Sequence, residues 1–261
     1  MSAARKLHRR KGRAAAGAFL IEGLTQLHEA VASGADVLEV FVEDSDDAHD
    51  AEQLCLDHDF LCFRIDRGVG RALSQTVTAP GVIAVVRSPG VALSDIPAGA
   101  DLVLVLAEVR DPGNAGTLIR SAAAAGADAV IFSTRAVDPL SAKTVRSAAG
   151  AVFRIPLVLD VELEEGVAAL RGRGFSMVGA DAHGGVTPEV CDMTRPVALV
   201  LGNEAKGIPG PIEGLVDEVV GIPMPGSAES LNVGVAGSIL LFEAVRQRGH
   251  SANERHHTPA S

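Results

Sequence analysis

An α/β chain resting on mostly parallel strands is what the residue pattern predicts. Short β-rich runs alternate with helical stretches nearly throughout. The later runs are apolar almost without a break, as strands covered on both faces must be, and Gly and Pro punctuate the joins. After a basic segment over residues 1–13, Phe19–Glu22 leads into a helical stretch around Leu24–Ala32. Val37–Val42, dominated by Val, Leu and Phe, reads as a strand, Ala48–His58 as an acidic helix, and Leu61–Arg64 and Val82–Val86 as further strands. Arg87–Gly99 breaks the rhythm: Pro89, Gly90, Pro97 and Gly99 are turn chemistry, and a domain boundary is expected there. Beyond it Leu102–Ala107, Ala129–Phe132, Met177–Gly179, Val197–Leu201 and Glu218–Ile222 read as buried strands. Ala115–Ala125, Ser141–Ala149 and Leu163–Arg171 read as the helices between them, and Glu229–Arg248 as a long closing helix. The last dozen residues, rich in His, Ser and Asn, read as a frayed tail.

Composition narrows the function. With 47% hydrophobic residues the 261-residue chain can bury a sizeable core, which excludes wholesale disorder. No apolar run approaches the ~20 residues that span a bilayer, and the basic start followed by Ala14–Leu20 and Glu22 makes a poor signal peptide. Cys55, Cys62 and Cys191 are odd in number and lack metal-ligand spacing, which fits a reducing cytoplasmic compartment. The formal net charge of −10 speaks against a dedicated nucleic-acid binder, but the charge is segregated. Arg5, Lys6, Arg9, Arg10, Lys11 and Arg13 crowd the first 13 residues, whereas residues 14–63 hold 12 acids and no Lys or Arg. Such an arm can contact phosphate locally, or be a solvated tip. Without Trp or Tyr, and with eight scattered Phe, a broad aromatic platform for single-stranded bases is not expected.

Three clusters join a polar loop to a very apolar strand, the place where doubly wound sheets hold ligands. In the first, residues 108–120, a strand runs into Pro112-Gly113, then Asn114 as a plausible helix N-cap, with Arg120 nearly two turns up. Arg120 is either an inter-helix ion pair or a clamp for phosphate or hydroxyl. In the second, Leu201 and Gly202 end a strand, and Asn203, Glu204, Lys206 and Gly207 follow; a carboxylate at a buried strand's end asks for a purpose. In the third, Ile222-Pro223-Met224-Pro225 stops a strand, and Glu229-Ser230-Leu231-Asn232-Val233 opens the closing helix. Ser230 and Asn232 are either caps or ligand groups. No Gly-x-Gly-x-x-Gly, phosphate-loop or nucleophile-elbow motif is present, and the eight His show no metal-binding spacing.

Taken together, Asn114-x-Gly116-x-x-x-Arg120, Leu201-Gly202-Asn203-Glu204-x-x-Gly207 and Ile222-Pro223-Met224 through Asn232-Val233 resemble the SpoU (TrmH-like) family of RNA 2′-O-ribose methyltransferases, in the SPOUT superfamily. Lys143 to Phe153, including Arg146, is similar to the family's linker between the first two motifs, and the basic arm with Phe19–Gly23 to its L30e-like substrate-binding domain. The resemblance implies an RNA substrate-binding domain at 1–90 and a methyltransferase domain at 100–250. The latter is a parallel-sheet α/β unit tied in a deep trefoil knot, against the general rule; a tail at 251–261 follows.

The resemblance further implies S-adenosylmethionine as cofactor, held by Gly202, Ile222 and Leu231 with Leu201 and Met224 nearby. It implies catalysis by Arg120, Asn114, Glu204, Ser230 and Asn232, and RNA contacts at Arg9, Arg10, Lys11, Arg120 and Arg146. The partners it implies are ribosomal or transfer RNA and a second copy of the chain, in the cytoplasm, with no membrane. Arg120 matches the family's catalytic arginine. Because a guanidinium keeps its proton, clamping a phosphate and orienting the 2′-oxygen suits it better than acting as a base. The alternative is a non-catalytic RNA-binding dimer of the same fold, which the complete polar set disfavours. Gly234 departs from the Ser that often follows Asn-Val in the family, and the acidic 43–59 stretch is unusual beside an RNA-binding face.

Overall fold

The computed structural model describes residues 2–76, 79–182, 184–203, 207–208 and 214–256. They form two compact units, Met1–Pro89 with Asp138–Arg154, and Gly90–Val137 with Ile155–Ser261. Asp138–Arg154, which the sequence reading places in the second domain, thus packs with the first.

The first unit is built on a four-stranded mixed sheet in the order β1 (Ala18–Glu22), β4 (Val82–Arg87), β2 (Val37–Val42), β3 (Cys62–Arg64). β4 is antiparallel to both β1 and β2, and β3 lies parallel to β2 on the edge. Alternation sends Leu20, Phe41, Ile83 and Val85 to one face, where they share a core with Ala4, Leu7 and Leu73. The basic arm is therefore folded rather than a free tip. Ala4 and Leu7 anchor α1 (Ser2–Lys6), and α2 (Arg10–Ala16) ends at Gly17 in the left-handed region. Leu73 belongs to α5 (Arg67–Leu73), a helix the sequence pattern does not announce; Asp66 caps it, accepting the Val69 N–H at 3.0 Å. On the other face lie α3 (Leu24–Ala32), whose Leu27 and Ala30 are buried, and α4 (Ala48–Asp57). The 138–154 segment, which carries α7 (Ala142–Ala148), joins this unit through Phe153, whose ring lies 5.9 Å from that of Phe19, and through the Arg154–Glu29 ion pair.

The second unit is the doubly wound half. Its seven described strands are all parallel, in the order β11 (Glu218–Val220), β9 (Ser176–Ala180), β10 (Val197–Leu201), β6 (Leu102–Leu106), β7 (Ala129–Ser133), β8 (Leu157–Val161), β5 (Gly90–Val91). β6, β7 and β10 are buried at every position, as their unbroken hydrophobicity requires. On one face α8 (Leu163–Gly172) covers Val103, Val105, Ile131 and Val200. α6 (Pro112–Ala124) packs against the closing helix α9 (Val233–His256), which also contacts β10. β5 and β8 stand outside the sequence expectations. β5 is two residues inside the Pro/Gly stretch, and β8 is buried at three of its five positions and carries the exposed Asp160 at φ 56°. α9 reaches His256, into the stretch expected to fray; residues 257–261 lie outside the described set. Among the described residues no helix is long and apolar enough to cross a membrane.

Candidate active site

Three adjacent parallel strands, β9, β10 and β11, end at Ala180, Leu201 and Val220, and their carboxyl ends open into a cavity of about 790 Å³. The start of α9 forms its far wall, through Val233 and Ala236. Leu201, Gly202, Ile222, Met224, Ser230 and Leu231 all line this cavity, although they come from three separate stretches of chain. Gly202 is held to glycine by the chain itself. The loop folds back so that Asn203 and Gly207 exchange backbone hydrogen bonds of 2.7 and 2.9 Å, and a Cβ on Gly202 would lie 1.9 Å from the Gly207 carbonyl oxygen. Asn203 fastens the loop to the neighbouring strand end, donating from Nδ2 to the Glu108 carbonyl oxygen at 3.3 Å. Glu204 lies outside the described residues.

α6 begins earlier than its apolar pattern suggests. Asp111, not Asn114, is the N-cap: its carboxylate accepts the Asn114 N–H at 2.9 Å, and Pro112 takes the first helical position. Asn114 is thereby released from capping, and its Oδ1 accepts from Asn232 Nδ2 at 2.8 Å. The Oδ1 of Asn232 in turn accepts the Gly234 and Val235 N–H groups at 2.9 and 3.2 Å. Asn232 thus caps α9, which starts at Val233 rather than near Glu229, and couples that start to α6. Gly234 does not loosen the junction. A Cβ there would come within 3.0 Å of Asn232 Oδ1 and 3.5 Å of the Asn114 Cα, so its smallness lets the two helix starts meet. Arg120 projects from α6 into solvent, makes no ion pair or hydrogen bond among the described residues, and is not part of the cavity wall.

The basic residues expected to meet RNA divide. Arg9 and Lys11 are exposed on the folded arm and Arg10 is half-buried. Arg146 stands 3.7 Å from Glu22, a buried carboxylate that also accepts from Ser74 Oγ (2.7 Å) and the Gln75 N–H (2.9 Å). Arg13 is 7% exposed and bridges Asp138 and the Leu7 carbonyl, so its charge is internal.

Sequence reasoning missed Asp181, Ala182 and Glu229 as lining residues. Asp181 follows a strand as directly as Gly202 does, but only the sheet order puts β9 beside β10. The lining suits S-adenosylmethionine: Leu201, Ile222, Met224 and Leu231 are apolar enough for a flat purine. The strand ends offer backbone hydrogen-bond groups, and the carboxylates of Asp181 and Glu229 can accept ribose hydroxyls or face a cation.

Residues 101–242 match the model of the SpoU rRNA Methylase family, and residues 2–84 that of the MRM3-like substrate binding domain. Over 238 residues the chain is 34% identical to the 23S rRNA (guanosine(2553)-2′-O)-methyltransferase RlmP of Bacillus subtilis (strain 168), spanning 91% of this chain and 92% of that protein. It is also 34% identical to the 23S rRNA (uridine(2479)-2′-O)-methyltransferase of Streptomyces viridochromogenes, over 93% and 87% of the two chains. The crystal structure of the SpoU methyltransferase AviRb from the same organism, in complex with AdoMet, superimposes with a TM-score of 0.85 over 95% of this chain and 97% of that one, at 34% identity. With more than half its length inside the family model, and likeness of this order along nine-tenths of it, the chain belongs to the SpoU rRNA methylase family.

Proposed function

We propose that this chain transfers a methyl group from S-adenosylmethionine to a ribose 2′-hydroxyl of RNA, with 23S ribosomal RNA as the substrate. The observation that carries the reading is the cavity at the ends of β9, β10 and β11, closed by a helix start whose Asn232 is bonded to Asn114. The relatives named above act on 23S rRNA and differ in the nucleotide they modify, which supports the RNA class.

When bound, the cofactor supplies an electrophilic methyl group; the protein must present the 2′-oxygen to it. Leu201, Gly202, Ile222, Met224 and Leu231 would hold the cofactor. Arg120, through its guanidinium, would clamp the phosphate beside the ribose and lower the cost of negative charge on the 2′-oxygen. Asn114, Glu204 and Ser230 would complete the pocket for the ribose. Asn232, its oxygen engaged by two backbone N–H groups, acts as a positioning residue that sets Asn114 and the α9 start in place.

The catalytic unit is a homodimer in this reading. Leu231, Val235, Ile239, Phe242 and Val245 form an exposed apolar stripe, four of them at helical spacing along α9, the element that also walls the cavity. Arg120 is absent from its own chain's cavity wall, which supports a site completed across the two copies. The trefoil knot belongs to the same proposal. It is supported by the passage of the β11 end against 184–186, where Val186 bridges Val220 and a Cβ on Gly184 would lie 2.4 Å from the Gly221 nitrogen. In this reading residues 1–90 select the RNA, 100–250 methylate it, and Arg9, Arg10, Lys11 and Arg146 meet its phosphates in the cytoplasm.

The test is incubation with methyl-tritiated S-adenosylmethionine and ribosomal or transfer RNA in separate reactions. Label retained in alkali-resistant dinucleotides of ribosomal RNA, abolished in Arg120→Ala while cofactor affinity stays within a few-fold, is the expected result. Cofactor binding without label in any RNA, assembling subunits included, would overturn the catalytic reading.

A further inference from the structure

The edge of the first unit's sheet carries a second cavity, of about 420 Å³, that the methyl-transfer reading does not use. Phe41 and Phe63, paired in the β2–β3 register, form its floor, with ring centroids 5.7 Å apart and planes inclined by 24°. Phe63 is 44% exposed, so one face of an aromatic ring is offered to solvent on a strand with an open edge. Glu39 lines the same cavity and makes no hydrogen bond or ion pair among the described residues. Two other carboxylates nearby are engaged. Asp66 caps α5, and Arg64 grips Glu52 through two nitrogens, which holds that carboxyl below the usual range.

A ridge of unengaged positive charge leads to this cavity. Asp66 and Val69 belong to its wall, and Arg67 and Arg71 sit one turn apart on the exposed side of α5, which contacts α1. Arg5, Lys6, Arg9 and Lys11 continue the series on α1, α2 and the turn between them. No side chain of these six has an ion-pair or hydrogen-bond partner among the described residues, whereas those of Arg13, Arg64, Arg87 and Arg154 all do. Cations without counter-charges, spaced along one ridge, suit a phosphate backbone.

We propose that the Phe41–Phe63–Glu39 cavity receives one unpaired base of the RNA, a guanine, while Arg67, Arg71 and the arm hold the flanking phosphates. Phe63 supplies the stacking face. The two oxygens of Glu39 match the adjacent N1–H and N2–H donors of guanine, a pair that uracil, cytosine and adenine do not present. The pocket thereby gives the substrate-binding unit a means of choosing among RNA loops that the basic ridge alone, blind to sequence, lacks. The proposal rests on the RNA reading above.

Because the chain has no Trp and no Tyr, Phe63→Trp introduces a single fluorophore at the floor of the cavity. The probes are a short uridine-rich RNA with one central guanosine and its all-uridine counterpart. The guanosine RNA is expected to quench the emission at lower concentration than the all-uridine RNA. Phe63→Leu and Glu39→Gln are expected to weaken guanosine-RNA binding roughly fivefold to a hundredfold, the range base stacking commands, with S-adenosylmethionine affinity unchanged. If the wild-type chain binds and methylates RNA and both substitutions leave RNA affinity untouched, the pocket is refuted and the methyltransferase reading stands. Quenching by an arginine-rich peptide but not by RNA would refute it in favour of protein docking. Failure of the wild-type chain to bind any RNA would remove both readings together.

Discussion

Asn232 allows the cap and the amide donor to be separated. Asn232→Ala removes an acceptor shared by the Gly234 and Val235 N–H groups, and a donor to Asn114 Oδ1. Losing an N-cap costs about 1 kcal/mol, and a solvent-accessible amide pair adds about 0.5 kcal/mol. Together, about 1.5 kcal/mol lowers the melting temperature of a chain this size by about 3–6 °C. The α9 start walls the cofactor cavity through Val233 and Ala236, so a frayed first turn must be re-formed on binding. The same free energy then sets a ceiling of about tenfold on the loss of S-adenosylmethionine affinity. Asn232→Asp keeps the acceptor and places a negative charge at a helix N-terminus, where it is favourable. That variant is expected to melt within about 1 °C of wild type by the cap arithmetic and to bind cofactor normally. In the proposed reading its methylation rate falls, because the Asn232 amide donor to Asn114 Oδ1 is gone. Scanning calorimetry and cofactor titration on the three proteins decide the matter. If Asp at this position melts as low as Ala, the cap is not what holds the helix start, and the positioning role fails.

Gly237→Ala would place a Cβ 2.4 Å from Leu118 Cδ2 and 2.5 Å from Leu201 Cδ1, so a loss of about 1–3 kcal/mol from overpacking is expected in denaturant titration. Asp138→Ala strands the buried Arg13 guanidinium and is expected to destabilise the first unit by about 3–5 kcal/mol, read by hydrogen exchange in β1 and β4. Phe242→Asp sets a charge in the exposed α9 stripe and is expected to shift sedimentation from the proposed dimer to monomer and abolish methylation. Burial pushes the Cys55 and Cys191 thiols up to about 12, whereas Cys62 is exposed, so an aromatic disulfide reagent near pH 8 is expected to label Cys62 rapidly and the other two only on unfolding. Since the native state holds those two protons more tightly, their contribution to stability is complete below pH 9 and fades as pH rises towards 12.

The central strands were legible because β6, β7 and β10 are covered on both faces and leave an unbroken apolar trace. Elements that borrow their burial were not. Among its described residues the arm buries only Ala4, Leu7 and the Arg13 side chain, so its sequence reads as a charged tip. α5 is short and contains two glycines, and β5 is two residues that exist as a strand because β8 lies beside them. The Asn114–Asn232 pair was legible as residue types and not as a pair. Asn114 and Asn232 are 118 positions apart, and either could have been a cap. The structure divides the work: Asp111 caps one helix, Asn232 the other, and the Asn114 carboxamide is the group on which the second helix is set.

The glycines show why the remainder of the site could not be read off a linear pattern. In a sequence, Gly202, Gly184 and Gly221 register as turn punctuation, and Gly237 as a weak point in a helix. In the structure each is a crossing where backbone or core side chains from distant segments come closer than a Cβ permits: Gly202 on Gly207, Gly184 on Gly221, Gly237 on Leu118 and Leu201. The first two bring the loops after β10 and β9 against their neighbours around the cavity, and the third seats α9 on α6 and β10. A glycine required by the chain's own crossings cannot also be diagnostic of a ligand. Gly202 is needed for the loop to close whether or not a cofactor is bound, and the part it plays in binding is to shape a cavity whose wall it would otherwise break. The motif residues that resemble a cofactor signature therefore serve the architecture first. In the proposed reading the chemistry falls to side chains that the architecture leaves unoccupied among the described residues, Arg120 foremost among them.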